Sequence, residues 1–346
     1  MSKARNLSKV VVESTGDIGS ASLDNVTPSA VSDKSNTSTG AFDLPSGTTA
    51  ERPTGSAGLI RHNSSTGLVE FWDSVNDQWI GIGEFIATGG TISESGGYRY
   101  HAFTSSGTFQ VLSGTKEIQY LVVGGGGGSS QHGAQDAGGG GGGAGGYIAS
   151  TLTAIAGNYT VTVGAGGAIN SNGANSSFAT STSIGGGRGG AYPSAGAGNG
   201  GSGGGGAYGV GTGVGTSGQG NNGAGGGDGS PGILYGGGGG GGAGAAGQAG
   251  GVQGADTAGN GGAGLQWLNG SYYAGGGGGA TRSQQYTSAG GGVGGVGGGG
   301  SGSSSATSYT PIAGQANTGG GAGGGSYNHL QAVAGGSGIV IVRYAL

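Results

Sequence analysis

Two stretches, YLVVGGGGGS at residues 120–129 and GGSGIVIVRY at residues 335–344, decide how this chain folds. Each joins a short aliphatic run to glycine, in mirror order: the first enters a glycine block and the second leaves it. An unbroken apolar run of four residues, rich in valine and isoleucine and bounded by glycine, reads as a fully buried strand. Pairing 120–123 with 339–342 brings the ends of the block together, so residues 124–338 become one closed excursion from a β-sheet.

Working outward, Tyr98, Tyr100 and Ala102, then Phe109 and Val111, then Ile118, Tyr120 and Val122 alternate with polar neighbours. That period of two predicts strands across 98–123. Within YIASTLTAIAGNYTVTVGAGG at 147–167, Tyr159, Val161 and Val163 alternate with threonine, which predicts a second strand pair over 147–163. With 339–344, these strands bracket the glycine on every side.

Glycine makes up 101 of the 346 residues, and 86 of these fall within 124–338. Ordering glycine costs roughly 0.5–1 kcal/mol more than ordering alanine in regular structure. A glycine block has no side chains to bury in return, so only backbone hydrogen bonds and close packing can offset the cost. Polyglycine-II helices supply both. With three residues per turn and no internal hydrogen bonds, each N–H and C=O points outward to a neighbouring rod. The seven-glycine run at 236–242 would span about 22 Å at such a helix's rise. Collagen is excluded, because the glycines lack a strict period of three and the chain has only six prolines. Aperiodic glycine and serine also suit a flexible linker, and the strand brackets oppose that alternative. The expected fold class is mainly β with polyglycine-II helices: an N-terminal extended arm, a small β-meander collar and a C-terminal polyglycine-II sandwich bracketed by strands.

Composition narrows the chemistry. The formal charge is −4, and 20 of the 26 charged residues precede Gly124. Without a Lys/Arg cluster there is no grip on phosphates, so nucleic acid is not an expected partner. With no cysteine, disulfides, thiolate catalysis and sulfur-ligated metals are absent. The apolar run at 10–12 is too short for a signal-peptide core, and no stretch is long enough to insert in a membrane. At this glycine content a GxGxxG match carries no information outside a strand-to-helix context. Asp136, Asp228 and Asp256 are isolated in the glycine block, which contains no glutamate, so a carboxylate pair for glycoside cleavage is not expected. His132 and Asp136 could hold a metal only on a helix that this sequence does not offer. The reading is of a non-enzyme with no cofactor and no metal.

Residues 1–44 are polar, with Leu7, Val10, Val11, Val12 and Ile18 as their few apolar pieces. They form either an arm that orders on assembly or an unstructured leader. Residues 45–85 hold three short β-type runs, GLIRHN, LVEFWDS and QWIGIG, separated by turn formers. Forty residues bury too little for independent stability, so Trp72, Trp79, Ile60 and Ile82 are expected to pack against other copies.

Islands interrupt the glycine: SSQHGAQDA at 129–137, RGGAYPS at 188–194, QGNN at 219–222, DGSPGILY at 228–235, LQWLNGSYY at 265–273, TRSQQYTS at 281–288, SSSATSYTPIAGQ at 303–315 and SYNHLQ at 326–331. Tyrosine, tryptophan and amide side chains stack on sugar rings and hydrogen-bond hydroxyls at low entropic cost. Loops on a rigid scaffold are where recognition usually resides. The candidates for contact are Tyr192, Tyr235, Trp267, Tyr272, Tyr273, Tyr286, Tyr309, Tyr327 and His329. The alternative is that these rings cap the rods or fill a subunit interface.

The run DLPSGTTAERP followed by GLIRHNSSTGLVEFWDSVNDQWI resembles a repeated module of phage tail-fibre and appendage proteins, through Arg52-Pro53, Gly58, Ile60-Arg61, Asn63, Thr66, Glu70 and Trp79. The opening MSKARNL is similar to the start of marine-phage fibre proteins. The ordered segments HAFTSSGTF at 101–109, YLVVGGGGGS, AGNYTVTVGAGG at 156–167, NGANSSF at 172–178 and GGSGIVIVRY resemble a glycine-rich domain found mainly in phage structural proteins, over about residues 86–346. In its rods this domain resembles the polyglycine-II adhesins at the fibre tips of some T-even-type phages. The resemblance implies a virion tail-fibre or appendage protein. In it residues 1–44 dock to other tail or capsid proteins, 45–85 form a collar in a homotrimer, and 86–346 contact a host-surface glycan or protein. A purely structural capsid or tail decoration is the alternative.

Overall fold

The computed structural model describes residues 44–130, 138–193, 195–227, 236–251, 257–281, 290–304, 310–326 and 332–346. The arm at 1–44 lies outside them except for Leu44. The chain divides into two compact units between Ile80 and Gly81.

The first unit is a four-stranded sheet of β1 (Ser46–Gly47), β2 (Ile60–Asn63), β3 (Leu68–Asp73) and β4 (Gln78–Gly81), in that order. The three runs read from the sequence form the meander, and β1 adds parallel to β2. Its centre is ionic. Arg52 reaches the buried carboxylate of Glu70 through Nη2 at 2.7 Å and Nε at 3.2 Å, Asn63 Nδ2 donates at 3.0 Å, and Arg61 Nε lies 3.5 Å away. Burial would push the Glu70 carboxyl up, but the Arg52 and Asn63 hydrogen bonds and the two guanidinium charges hold it below the usual carboxylate range. A buried charge needs such partners. Several residues quoted for the fibre-module resemblance thus meet at one carboxylate. Trp72 and Trp79 pack edge-on, with ring centroids 5.8 Å apart.

The second unit contains β5 (Ile86–Thr88), β6 (Thr91–Ser95), β7 (Tyr98–Phe103), β8 (Gly107–Val123), β9 (Tyr147–Thr162), β10 (Ser176–Phe178), β11 (Ser181–Ser183), β12 (Leu265–Gln266), β13 (Tyr272–Tyr273) and β14 (Ile339–Ala345). An eight-stranded sheet runs β11-β10-β9-β8-β14-β7-β6, with β5 also paired to β8, while β12 and β13 form a separate hairpin. The expected bracket is present: Ile339 pairs antiparallel with Val123 and Val342 with Tyr120. On its other side β14 pairs with β7. The second unit takes in Phe85, placed with the meander by the sequence, because its ring packs edge-on against Tyr344 at 4.8 Å and joins the sheet's core. The strand pair expected at 147–163 is instead one long strand. A bulge in β8 between Val111 and Thr115 lets β9 stay paired from Tyr147 to Val161, so AGN is an irregularity in a strand rather than a turn.

Both faces of the sheet are covered. Phe109, Val111, Ile118, Tyr120, Val122, Val340, Val342 and Phe178 form one core. Leu121, Val123, Ile339 and Ile341 face the other way onto Ala144, Trp267, Tyr273 and Ala274. In β7 the deepest residues are His101 and Phe103 rather than the tyrosines of the alternation, because Tyr100 serves the second core.

His101 Nδ1 donates to the Gly89 carbonyl at 2.8 Å, and in the neutral ring Nε2 then accepts from the Tyr344 hydroxyl at 3.2 Å. Burial, with the nearby Arg99 charge, holds its pKa below the ordinary 6.5. The folded state therefore resists a proton that the unfolded state accepts. Its contribution to stability is present above the ordinary value and is lost as pH falls through it toward the depressed folded value. Melting temperature should fall between about pH 7 and pH 5, and His101→Gln should flatten that slope; an unchanged slope would remove His101 as its source.

Between the strands, the glycine segments bond sideways. Along 140–146 the amide N–H groups donate in rotation to three neighbours. Gly140, Gly143 and Gly146 donate to Gly190, Gly187 and Ile184; Gly141 and Ala144 to Gly238 and Gly241; Gly142 and Gly145 to Ala322 and Gly319, all at 2.7–3.0 Å. Residues 139–146 accept from three others: Gly124 and Gly127, Ser202 and Gly205, and Gly277 and Ala280. Segments 236–242 and 274–281 are surrounded in the same way. Each neighbour is reached at every third residue, and the backbone is satisfied without a ladder.

Candidate functional site

The hydrogen-bond register assigns each segment's two ends. At one end the segments run into the sheet: Gly124 N–H donates to Gly146, Gly145 to Gly319, Ala243 to Ala274 and Ala274 to Thr318. At the other, Gly139 donates to Gly325, Ala280 to Gly139, Gly237 to Ala280, Gly227 to Gly236, Thr281 to Ser303 and Gly189 to Gly128. Residues 130, 138, 227, 236, 281, 304 and 326, which flank most of the non-glycine islands, therefore meet at the end away from the sheet. They are scattered over almost two hundred positions. Segments that alternate in direction gather them.

Tyr192 is at this end, partly buried, with its ring edge-on to Tyr208 at 5.1 Å. Tyr208, inside GAYGVG, was not among the sequence candidates; the signal available was a lone aromatic breaking a glycine run. Arg188 is the one charged side chain among the described residues of 124–338, and its Nη2 donates to the Gly196 carbonyl at 3.2 Å. Tyr235, Tyr286, Tyr309, Tyr327 and His329 lie outside the described residues, as do His132, Asp136, Asp228 and Asp256.

The island at 265–273 is at the opposite end. Gly270, at φ +80°, closes the β12–β13 hairpin, and Trp267 N–H bonds the Ser271 carbonyl at 2.9 Å. Trp267 and Tyr273 are 5% and 7% exposed and lie in the second core, so their rings clad the sheet and offer no contact surface in this chain. Tyr272 is 47% exposed. The hairpin is held by Arg343, whose guanidinium sits 4.1 Å over the Tyr98 ring and 5.8 Å from Trp267, with hydrogen bonds to Gln119 Oε1, the Tyr100 hydroxyl and the Leu268 carbonyl. Neutral acceptors and ring faces solvate this buried cation. Sequence spacing cannot show such a cage, since its members are separated by up to 245 positions. Tyr147 closes the same end: burial, then the neighbouring Tyr273, pushes its hydroxyl up to about 12, so it remains a neutral donor to Gln266.

Among the described residues no cluster of three or more His, Cys, Asp or Glu could hold a metal, and no helix is long and apolar enough to cross a membrane. The described residues at the end away from the sheet carry one charged side chain, Arg188, and the Tyr192–Tyr208 ring pair.

No curated protein matches the chain. A family model for a glycine-rich domain matches residues 103–345, from the end of β7 through β14, and so takes in the strand bracket and the whole stack. With that match covering more than half of its length, the chain belongs to the glycine-rich domain family.

Proposed function

We propose that the glycine segments are polyglycine-II helices forming a stiff body, and that the chain is a phage tail-fibre or appendage protein. Its loop-bearing end binds a host-surface molecule. The rod assignment is supported by the recurrence of each hydrogen-bonding neighbour at every third residue, which is the repeat of that helix. The phage assignment rests on the fibre-module and glycine-rich resemblances. The observation that carries recognition is the gathering of the island flanks, with Tyr192 and Tyr208, at one end of the stack. A neutral, hydroxyl-rich ligand such as a glycan suits a surface of aromatic and amide groups. The arm at 1–44 docks to the virion, the meander joins copies in a homotrimer, and no catalysis is involved.

Tyr192→Ala and Tyr208→Ala should each lower binding of the purified chain to bacterial surface polysaccharides by about tenfold or more, the size of a modest hot spot. Tyr272→Ala, at the sheet end, should leave it unchanged. Equal binding by all three variants would sink the recognition role. The second reading, a virion decoration without receptor contact, is favoured by the burial of Trp267 and Tyr273 in packing. It predicts that tyrosine substitutions disturb particle assembly and leave adsorption intact.

A further inference from the structure

Two strands of the sheet leave backbone open along a side, β6 at one end and most of β9 beyond its short pairing with β10, and the two differ in character. β6 is five residues long and carries Glu94, paired with Arg99 of β7 at 2.7 Å. Short length and charge protect an edge from pairing with another chain. β9 differs. Along YIASTLTAIAGNYTVT it has neither charge nor proline, and it pairs with β8 on one side, while β10 covers the other side only at Val161 and Thr162.

Its open side is capped at two points. Tyr147 N–H donates to the Gln219 carbonyl at 2.9 Å. At Ile155 the Tyr159 hydroxyl takes both backbone groups, accepting from N–H at 3.0 Å and donating to C=O at 3.1 Å. In a strand both backbone groups of a residue point to one side and alternate residues share that side. No bulge intervenes between 147 and 155. The same side is therefore presented by Ala149, Thr151 and Thr153, all exposed, between the two caps.

This gap is symmetric: Thr151 is at its centre, with a cap four residues away in each direction. We propose that β9 pairs with β9 of a second copy of this chain, antiparallel, across a two-fold axis at Thr151. Thr151 then faces its counterpart, and Ala149 faces the counterpart of Thr153. The outward N–H and C=O groups of Ala149, Thr151 and Thr153 each find a partner between the two caps. A two-fold contact sets each residue against its own mirror position, so any charge near the axis would meet its like. The lack of charge from Tyr147 to Thr162 is what such a contact requires, and threonine opposite threonine is a favourable cross-strand pair. A cleft of about 420 Å³ beside Tyr147, lined in part by Ile148, Gln219 and Asn221, leaves room at that end of the strand.

The chain has no cysteine, so a single introduced one reports cleanly. In a hydrogen-bonded antiparallel pair the facing Cα atoms are about 5.5 Å apart, within disulfide range. Thr151→Cys in the full-length protein should form a covalent dimer under mild oxidation at least about tenfold faster than Thr91→Cys on β6, given that geometry. Equal rates would overturn the proposal, as would a foreign strand occupying the edge, which would leave Thr151→Cys uncrosslinked. Thr151→Lys and Thr151→Glu provide a second measure: each alone should weaken association, and mixing the two should restore it. A mixture no better than its components would also overturn the two-fold contact. Crosslinking does not depend on receptor binding or on joining of copies through the meander, so the two readings fail separately.

Discussion

Replacing Gly277 by alanine should unfold the glycine stack. A Cβ at this position would lie inside the van der Waals envelope of the Ala322 carbonyl oxygen, which already accepts the Gly142 N–H. The obstacle is backbone, held by its own hydrogen bonds, so no side chain can swing aside. Overpacking a core usually costs about 1–3 kcal/mol because neighbours relax. Here relief means separating two bonded segments, and the cost should exceed about 4 kcal/mol, the range of severe lesions. Gly141→Ala meets the Gly277 carbonyl and Gly240→Ala the Gly142 carbonyl, so both should behave alike. Gly211→Ala is the contrast: a Cβ there meets nothing and φ is not positive, so it should change stability by no more than about 0.4–1 kcal/mol, in the stabilising direction. Thermal or denaturant unfolding of the purified variants checks this. Comparable stability for Gly277→Ala and Gly211→Ala would mean that the segments do not touch as described.

The second large effect is expected at the last strand. Val340 is fully buried between β7 and β8 and belongs to the first core. Val340→Asp would place a carboxylate there with no partner, at a cost of several kcal/mol. Because β14 joins β7 to β8, losing it opens the sheet and releases the stack, whose last segment runs directly into the strand. Loss of the β-sheet circular dichroism signal and of a cooperative melt is expected, whereas Leu346→Asp, 61% exposed, should fall within about 0.5 kcal/mol of the parent. A cooperative melt near the parent's in Val340→Asp would show that the stack stands without its bracket. The bracket also makes folding slow. Val123 cannot meet Ile339 until the intervening block has been gathered, and contacts so distant in sequence lower folding rates.

Much of the sheet was legible beforehand. Aliphatic runs at 120–123 and 339–342 can satisfy neither their side chains nor their amides alone, and alternation at 109–122 marks the buried face, so the pairing follows from local pattern. Alternation over 147–163 predicts a strand pair, whereas the compensating bulge in β8 keeps β9 paired as one strand, which no local pattern in β9 shows. Alternation at Tyr98, Tyr100 and Ala102 marks a single face, but β7 is covered on both, a consequence of its place beside β14. For the candidate site, residue type was a poor guide. Trp267 and Tyr273 share the chemistry of Tyr192 and Tyr272, yet the first two are buried because the hairpin at 265–273 folds back over Leu121 and Ile341.

By itself the sequence determined that this chain closes a glycine block with paired strands, because few other arrangements can repay the entropy of ordering so much glycine. Tertiary structure alone decided which segments are neighbours and which island flanks share an end. Glycine segments are almost interchangeable in composition, so nothing local distinguishes one partner from another. The choice is made by where turns and strands leave each segment's carbonyls, which is a property of the assembled body.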